Sequence, residues 1–174
     1  WGRGFPGWHI ECTAMSIKYL GEQFDIHTGG KEHIPVHHTN EIAQAYGAFG
    51  RQTANYWLHN EWLMFNGEKI SKSLGNSILV SDLEAKGFNP LALRYLVMTS
   101  HYRTGLNFTW ESLSAAQTAL ERLYEIVNKL REKNEGFDDC GGDAEWHKRF
   151  IEAVSDDLGM PQAIALVWEM LKSK

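Results

Sequence analysis

Cysteine is scarce in this chain, with two in 174 residues. Cys12 falls in a stretch with helical spacing and Cys140 stands beside Gly141-Gly142, so a disulfide framework does not fit. Long hydrophobic runs are missing as well. No apolar stretch approaches the ~20 residues that a membrane span needs, and 43% hydrophobic with 22% charged residues describes a soluble globular protein, expected in the cytoplasm. Positive charge is in deficit: 17 Lys and Arg against 22 Asp and Glu leave a formal charge of -5. That balance argues against a general nucleic-acid coat but leaves room for a locally basic site. No G-x-x-x-x-G-K-[ST] occurs, which excludes the phosphate loop of P-loop NTPases. Neither an initiator Met nor a signal peptide precedes Trp1, so the chain is expected to be a piece of a longer one.

What the chain has instead is Gly67-Glu68-Lys69-Ile70-Ser71-Lys72-Ser73-Leu74-Gly75-Asn76, two lysines and two hydroxyls within five positions. Trp62-Leu63-Met64-Phe65 reads as a strand, Asn66-Gly67 is a strong hairpin signal, and Glu68 to Ser71 return as a second strand, which places the lysines on a loop. Ammonium groups are compact point charges suited to a triphosphate, and Ser71 and Ser73 add donors at similar reach. The bland alternative is a solvated Lys/Ser turn.

Residues 8–20 carry a mixed but predominantly helical apolar pattern ending at Gly21. Phe24-Asp25-Ile26-His27 reads as a strand running into Thr28-Gly29-Gly30, a second helix spans about 39–49, and Tyr56-Trp57-Leu58-His59 reads as another strand. This alternation predicts a parallel α/β sheet with ligands at the carboxyl ends of its strands. From about residue 81 no further strand is expected. Ser81 and Glu84 suggest a capping box, Asn89-Pro90 starts a helix, and Thr109-Trp110-Glu111 starts a long one. The long helix carries Leu113, Ala116, Leu120, Leu123, Tyr124, Val127 and Leu130 in one stripe. An acidic, glycine-rich linker over 135–143 and helices over about 144–156 and 161–171 complete a helical bundle.

His37 and Glu41 are four apart and share a face if the helix begins at or before His37. With Cys12 they make an S, N, O set that suits zinc. The same residues also fit a small core cysteine and a histidine at a helix start. His38 is expected to point elsewhere, and His33 competes with His37 as the ligand.

Gly7-Trp8-His9-Ile10-Glu11-Cys12-Thr13-Ala14-Met15, His37-His38-Thr39-Asn40-Glu41-Ile42-Ala43-Gln44 and the lysine run resemble, in order and spacing, cysteinyl-tRNA synthetase, a class I aminoacyl-tRNA synthetase. The match continues through Ala92-Leu93-Arg94-Tyr95, His101-Tyr102-Arg103, Leu106-Asn107-Phe108 and Asp156-Asp157-Leu158-Gly159-Met160-Pro161-Gln162-Ala163.

The resemblance implies the second half of a Rossmann-like parallel-sheet catalytic domain over 1–80, a helical connector over 81–108, and the start of a helical anticodon-binding-type domain over 109–174. It implies an active-site zinc held by Cys12, His37 and Glu41, with the fourth ligand and the H-x-G-H signature of the amino-terminal half absent from this chain. Lys69, Ser71, Lys72 and Ser73 would be the catalytic phosphate contacts, Lys72 foremost. Gly29, Gly30 and Glu32 would bind the adenosine part of ATP-Mg, and Trp8 and His27 would line the cysteine pocket. Thr28 stands where the family has a glycine, and Glu32 where it has a ribose-binding Asp. Implied partners are cysteine, ATP, tRNA and the amino-terminal half of the catalytic domain, in an enzyme that is monomeric at full length and inactive as this fragment. Two other readings compete: a mycothiol-pathway cysteine ligase, and a non-catalytic zinc- or RNA-binding module derived from a synthetase. In the last, His101-Tyr102-Arg103 and the seven tryptophans would stack on RNA; their ordinary use is core plus solvated rim.

Overall fold

A computed structural model describes residues 2–71, 75–133 and 144–173. The chain divides into two compact units, Trp1–Glu61 and Trp62–Lys174. The linker expected over 135–143, with Cys140, lies outside the described residues.

In the amino-terminal unit, α1 (Trp8–Leu20) ends where Gly21 turns to φ 93° and its N–H reaches the Ile17 carbonyl. Strand β1 (Phe24–Gly30) pairs in parallel with β2 (Ala54–Asn60), in a register running from Phe24 opposite Ala54 to Gly30 opposite Asn60. β1 is three residues longer than the sequence suggests, because Thr28-Gly29-Gly30 continue the ladder instead of turning. The crossover is a 3₁₀ turn (Lys31–His33), a π turn (Ile34–His38) and α2 (Thr39–Phe49), which stops at left-handed Gly50. A π turn directly before α2 keeps His37 and Glu41 on one face although the α-helix itself begins at Thr39.

In the carboxyl-terminal unit, β3 (Leu63–Phe65) and β4 (Glu68–Lys69) form the expected hairpin, with Asn66 at φ 51° and Gly67 at φ 81° as a type I′ turn requires. β4 stops at Lys69, short of the expected Ser71. The expectation of no strand beyond residue 81 is corrected: β5 (Leu106–Phe108) lies parallel to β3, giving the order β4-β3-β5. Three residues are too few to show an alternating pattern, and β5 exists through its partner, with Leu106 N–H donating to the Trp62 carbonyl and Asn66 N–H to the Phe108 carbonyl.

Helix α3 (Val80–Ala85) starts one residue before the expected cap. The Asp82 carboxylate, not Glu84, accepts from the Leu79 N–H at 2.8 Å, so the Ser81–Glu84 capping box does not form. Asn89 caps α4 (Pro90–Met98) by accepting from Leu91 N–H. Thr109 and Ser112 exchange backbone-to-hydroxyl bonds at the start of α5 (Trp110–Lys133). α6 (Ala144–Ser155) and α7 (Met160–Lys172) follow. Leu83, Ala92, Leu96, Phe108, Leu113 and Ala116 form the buried core. The stripe of α5 is buried over its first half, through Leu120; Tyr124 faces solvent, which corrects its place in the stripe. Among the described residues no helix is long and apolar enough to cross a membrane.

Candidate active site

The phosphate-loop candidate begins on β4. Lys69 belongs to that strand and not to a loop, and its Nζ lies 4.4 Å from the centroid of the Trp62 ring. Asn76, to which no role was assigned from sequence, ties the segment together: its Oδ1 accepts from Ser71 N–H at 2.8 Å and its Nδ2 donates to the Lys69 carbonyl at 3.0 Å. A side-chain amide offers a donor and an acceptor at one place, so it can pin both limbs of a turn. Ser71 is half-buried. Lys72 and Ser73 lie outside the described residues.

The second candidate is built in the amino-terminal unit. Cys12 on α1, His37 on the π turn and Glu41 on α2 each present a ligand atom within 4.8 Å of the others. His37 Nε2 lies 3.0 Å from Glu41 Oε1 and His27 Nε2, from β1, lies 3.2 Å from Oε2. Glu41 is 1% exposed, yet neither of its oxygens accepts a hydrogen bond of good geometry. A buried carboxylate is costly unless charge or donors compensate it. Burial first, then the Glu41 and Glu11 carboxylates, push the Cys12 thiol up from its ordinary value, so in the absence of a cation the sulfur holds its proton.

His38 is 4% exposed and converges with His27 and Glu41 in a second set of ligand atoms within 4.8 Å of one another. That corrects the expectation that it points away from the site. Its Nδ1 lies 2.7 Å from His59 Nε2. Burial, followed by the charges of His27, His59, His33 and His37, lowers it to about 4, so it is neutral near pH 7. His33 is in neither set: its Nδ1 lies 3.2 Å from the Gly30 carbonyl and its ring stacks on His38. The α1–α2 junction is held by His9 and Thr13. Gln44 Nε2 meets His9 Nδ1 at 2.7 Å, while its Oε1 accepts from Thr13 Oγ1 at 2.7 Å. His9, Thr13, Gln44, His38 and His59 were not singled out as site residues from sequence. The signal was present, since His9 and Thr13 flank Cys12 on α1 and Gln44 lies three residues after Glu41 on α2.

The remaining predicted residues are placed as follows. Trp8 is 77% exposed at the start of α1, which removes the reading of a core tryptophan. His27 stands in mid-strand, its ring 4.7 Å from those of both Trp57 and His38. Glu32 is exposed, 3.8 Å from His33 Nδ1. At Gly29 a Cβ would come within 2.6 Å of the His38 ring, so this glycine admits the histidine; at Gly30 it would meet the Glu32 carboxylate.

In the other unit His101-Tyr102-Arg103 is engaged by Asp157. Tyr102 Oη donates to its Oδ1 and Arg103 Nε to its Oδ2, each at 2.5 Å, and His101 Nε2 lies 2.9 Å from its carbonyl. The Arg103 and Tyr102 hydrogen bonds hold the Asp157 carboxyl down to about 2. The cluster is therefore a solvated clasp between the α4–β5 and α6–α7 turns.

A family model described as the tRNA synthetases class I (C) catalytic domain matches residues 1–118. The chain is 53% identical over 175 residues to cysteine--tRNA ligase 1 of Burkholderia lata, covering 99% of this chain and 36% of that protein. Against the cysteine--tRNA ligase of Treponema denticola it is 43% identical, covering 100% of this chain and 39% of the relative. Against that of Streptomyces avermitilis it is 50% identical, covering 96% and 35%. The chain thus spans little more than a third of the length of these relatives. The crystal structure of the ternary complex of Agrobacterium radiobacter K84 agnB2 LeuRS-tRNA-LeuAMS shares the fold, with a TM-score of 0.62 at 19% identity over 85% of this chain and 22% of that one. Motif order, the parallel strands around the crossover and the family match over 1–118 agree: the chain belongs to the family of class I (C) tRNA synthetase catalytic domains.

Proposed function

We propose that this segment serves a cysteine-tRNA ligase, which joins cysteine to ATP as cysteinyl adenylate, releasing pyrophosphate, and then passes the cysteinyl group to tRNA. The observation that carries this reading is the convergence of Cys12, His37 and Glu41 on one point, with both Glu41 oxygens buried and without hydrogen bonds. Thiol, imidazole and carboxylate are the donors zinc takes, and a buried carboxylate faced only by two imidazoles is a group that a cation would satisfy. Bound there, zinc would supply a soft acceptor that favours the substrate thiolate over the hydroxyl of serine.

The chain's own residues would do the rest. Gln44 and Thr13 fix α1 against α2 and so hold Cys12 opposite His37. His27 and Trp8 would border the amino-acid side of the pocket, and Gly29, Gly30 and Glu32 the nucleoside side of ATP-Mg. Lys72, supported by Lys69, Ser71 and Ser73, would meet the pyrophosphate as its charge develops, with Asn76 shaping the turn that presents them. The open edges of the two-stranded β1–β2 sheet suit further strands in a whole catalytic domain. The amphipathic helices α5 to α7 suit the start of a tRNA-binding bundle.

The test is cysteine-dependent pyrophosphate exchange by the full-length protein. Lys72→Ala should slow exchange at saturating cysteine by about two orders of magnitude, the scale of losing one preorganised charge contact, with cysteine affinity little changed. A near-normal rate would remove the lysine loop from the mechanism.

A further inference from the structure

The hairpin that leads into the lysine run is short. β3 and β4 share two paired positions, Met64 with Lys69 and Phe65 with Glu68, and a two-stranded ribbon is marginal by itself in water. Its tip is fastened from outside. Asn66 N–H donates to the Phe108 carbonyl at 3.0 Å and Gly67 N–H to Asn107 Oδ1 at 2.7 Å, so both turn amides are held by β5. We infer that Asn107 is a positioning residue for the lysine run: through Gly67 it fixes the direction in which β4 carries the chain to Lys69 and Ser71. The kinetic consequence rests on the proposed reading of that run as the pyrophosphate contact.

Three observations carry the role. First, neither turn amide has a partner in the β3–β4 ladder, whose pairs are 64–69 and 65–68, so the tilt of the tip depends on the acceptors β5 supplies. Second, strand alternation leaves one side chain of β5 available for this. Phe108 is buried and Leu106 half-buried, whereas Asn107 is exposed, paired opposite Met64, and reaches past the end of β3 to the turn. Third, the segment that carries Asn107 is itself fixed. Leu106 N–H donates to the Trp62 carbonyl, and Tyr102 and Arg103 donate to the Asp157 carboxylate, so Asn107 offers its oxygen from an anchored support.

An exposed hydrogen bond returns little net stability, so its loss leaves the protein folded. Geometry is a stricter demand. Groups that meet a developing charge must be preorganised, and a misplacement of about 1 Å can cost about 10²-fold in rate.

The experiment uses the full-length protein and two measurements, pyrophosphate exchange and hydrogen exchange of the backbone amides over 66–71. Asn107→Ala should lower the kcat of pyrophosphate exchange about tenfold, inside that geometric range, with the KM for cysteine and the denaturation midpoint unchanged. The 66–71 amides should exchange about fivefold faster, the scale of one ordinary hydrogen bond. Asn107→Asp keeps the acceptor oxygen and should restore both. In a Lys72→Ala background Asn107→Ala should slow pyrophosphate exchange no further, because both changes act on one contact. Unaltered amide exchange in Asn107→Ala, failure of the aspartate to restore it, or additive losses in the double variant overturns the inference. So does a normal rate in Asn107→Ala where Lys72→Ala is slow, and that result leaves the lysine-run reading standing. A near-normal rate in Lys72→Ala sinks that reading instead; faster amide exchange in Asn107→Ala, reversed by the aspartate, would still support Asn107 as the residue that positions the hairpin.

Discussion

The two units spend their buried volume differently. In Trp62–Lys174 the interior is aliphatic and aromatic, with Leu83, Leu96, Phe108, Leu113 and Leu120 below a tenth exposed. In Trp1–Glu61 the buried positions are Thr13, His38, Glu41 and Thr53 with two alanines, while Trp8, Tyr19, Ile26 and Tyr56 are more than half exposed. Apolar burial is the main favourable term in folding, and buried polar groups return little net stability even when paired. The second unit therefore draws most of its stabilisation from apolar packing. The first buries mainly polar and titratable groups, so apolar burial contributes less to its stability.

That contrast can be broken by substitutions on either side. The largest effect is expected from Leu113→Ala, which opens a cavity in the apolar core and should cost about 2–5 kcal/mol of unfolding free energy in denaturant melts. It should leave zinc content unchanged; a loss below about 1 kcal/mol would mean the core is loosely packed. Gly29→Ala comes next, at about 1–3 kcal/mol, because its methyl group drives into the His38 ring. A loss below about 0.5 kcal/mol would show that the ring can step aside. Thr13→Val should cost about 1 kcal/mol by removing the hydroxyl that donates to Gln44, with zinc released faster to a chelator.

The smallest effects are in pH dependence, and they should separate the units in the metal-free chain. His38 is lowered to about 4 from 6.5, so between those values the unfolded chain binds the proton and the folded one does not. The stability it contributes is present above about 6.5 and is lost as pH falls toward 4. Asp157 is lowered to about 2 from 3.8, so the contribution of the clasp persists above 3.8 and is lost as pH falls through 2. Acid titration followed by tyrosine and tryptophan fluorescence should show two windows. His38→Gln should erase the upper one and Asp157→Asn the lower one; a single window unmoved by either variant would count against both assignments.

Much of the scaffold was legible because its signals are local. Caps at Asn89 and Thr109, the Asn66-Gly67 turn, the glycine at 21 and the apolar spacing from Leu113 to Leu120 each act within a few residues. β5 was not legible, since three residues carry no period and its hydrogen bonds come from β3, some forty positions away in sequence. The start of α3 was misplaced because its cap position is Leu79, which has no polar side chain to announce it, and only the backbone path set Asp82 to accept from the Leu79 N–H.

For the site, the residues Cys12, His37 and Glu41 were legible as types at a suggestive spacing, and motif order identified their family. That His37 and Glu41 face each other depended on a π turn that no spacing rule announces. His27, His38 and His59 lie on three separate elements, and folding brings His27 and His38 to the Glu41 carboxylate and His59 to the His38 ring. Sequence by itself determined the helices, the hairpin and the kinds of ligating atom available, because propensity, capping and turn chemistry are properties of neighbouring residues. Tertiary structure alone decided which of six clustered histidines meet Glu41, because that depends on how far apart segments are folded, and distance in space is not a property of neighbours in the chain.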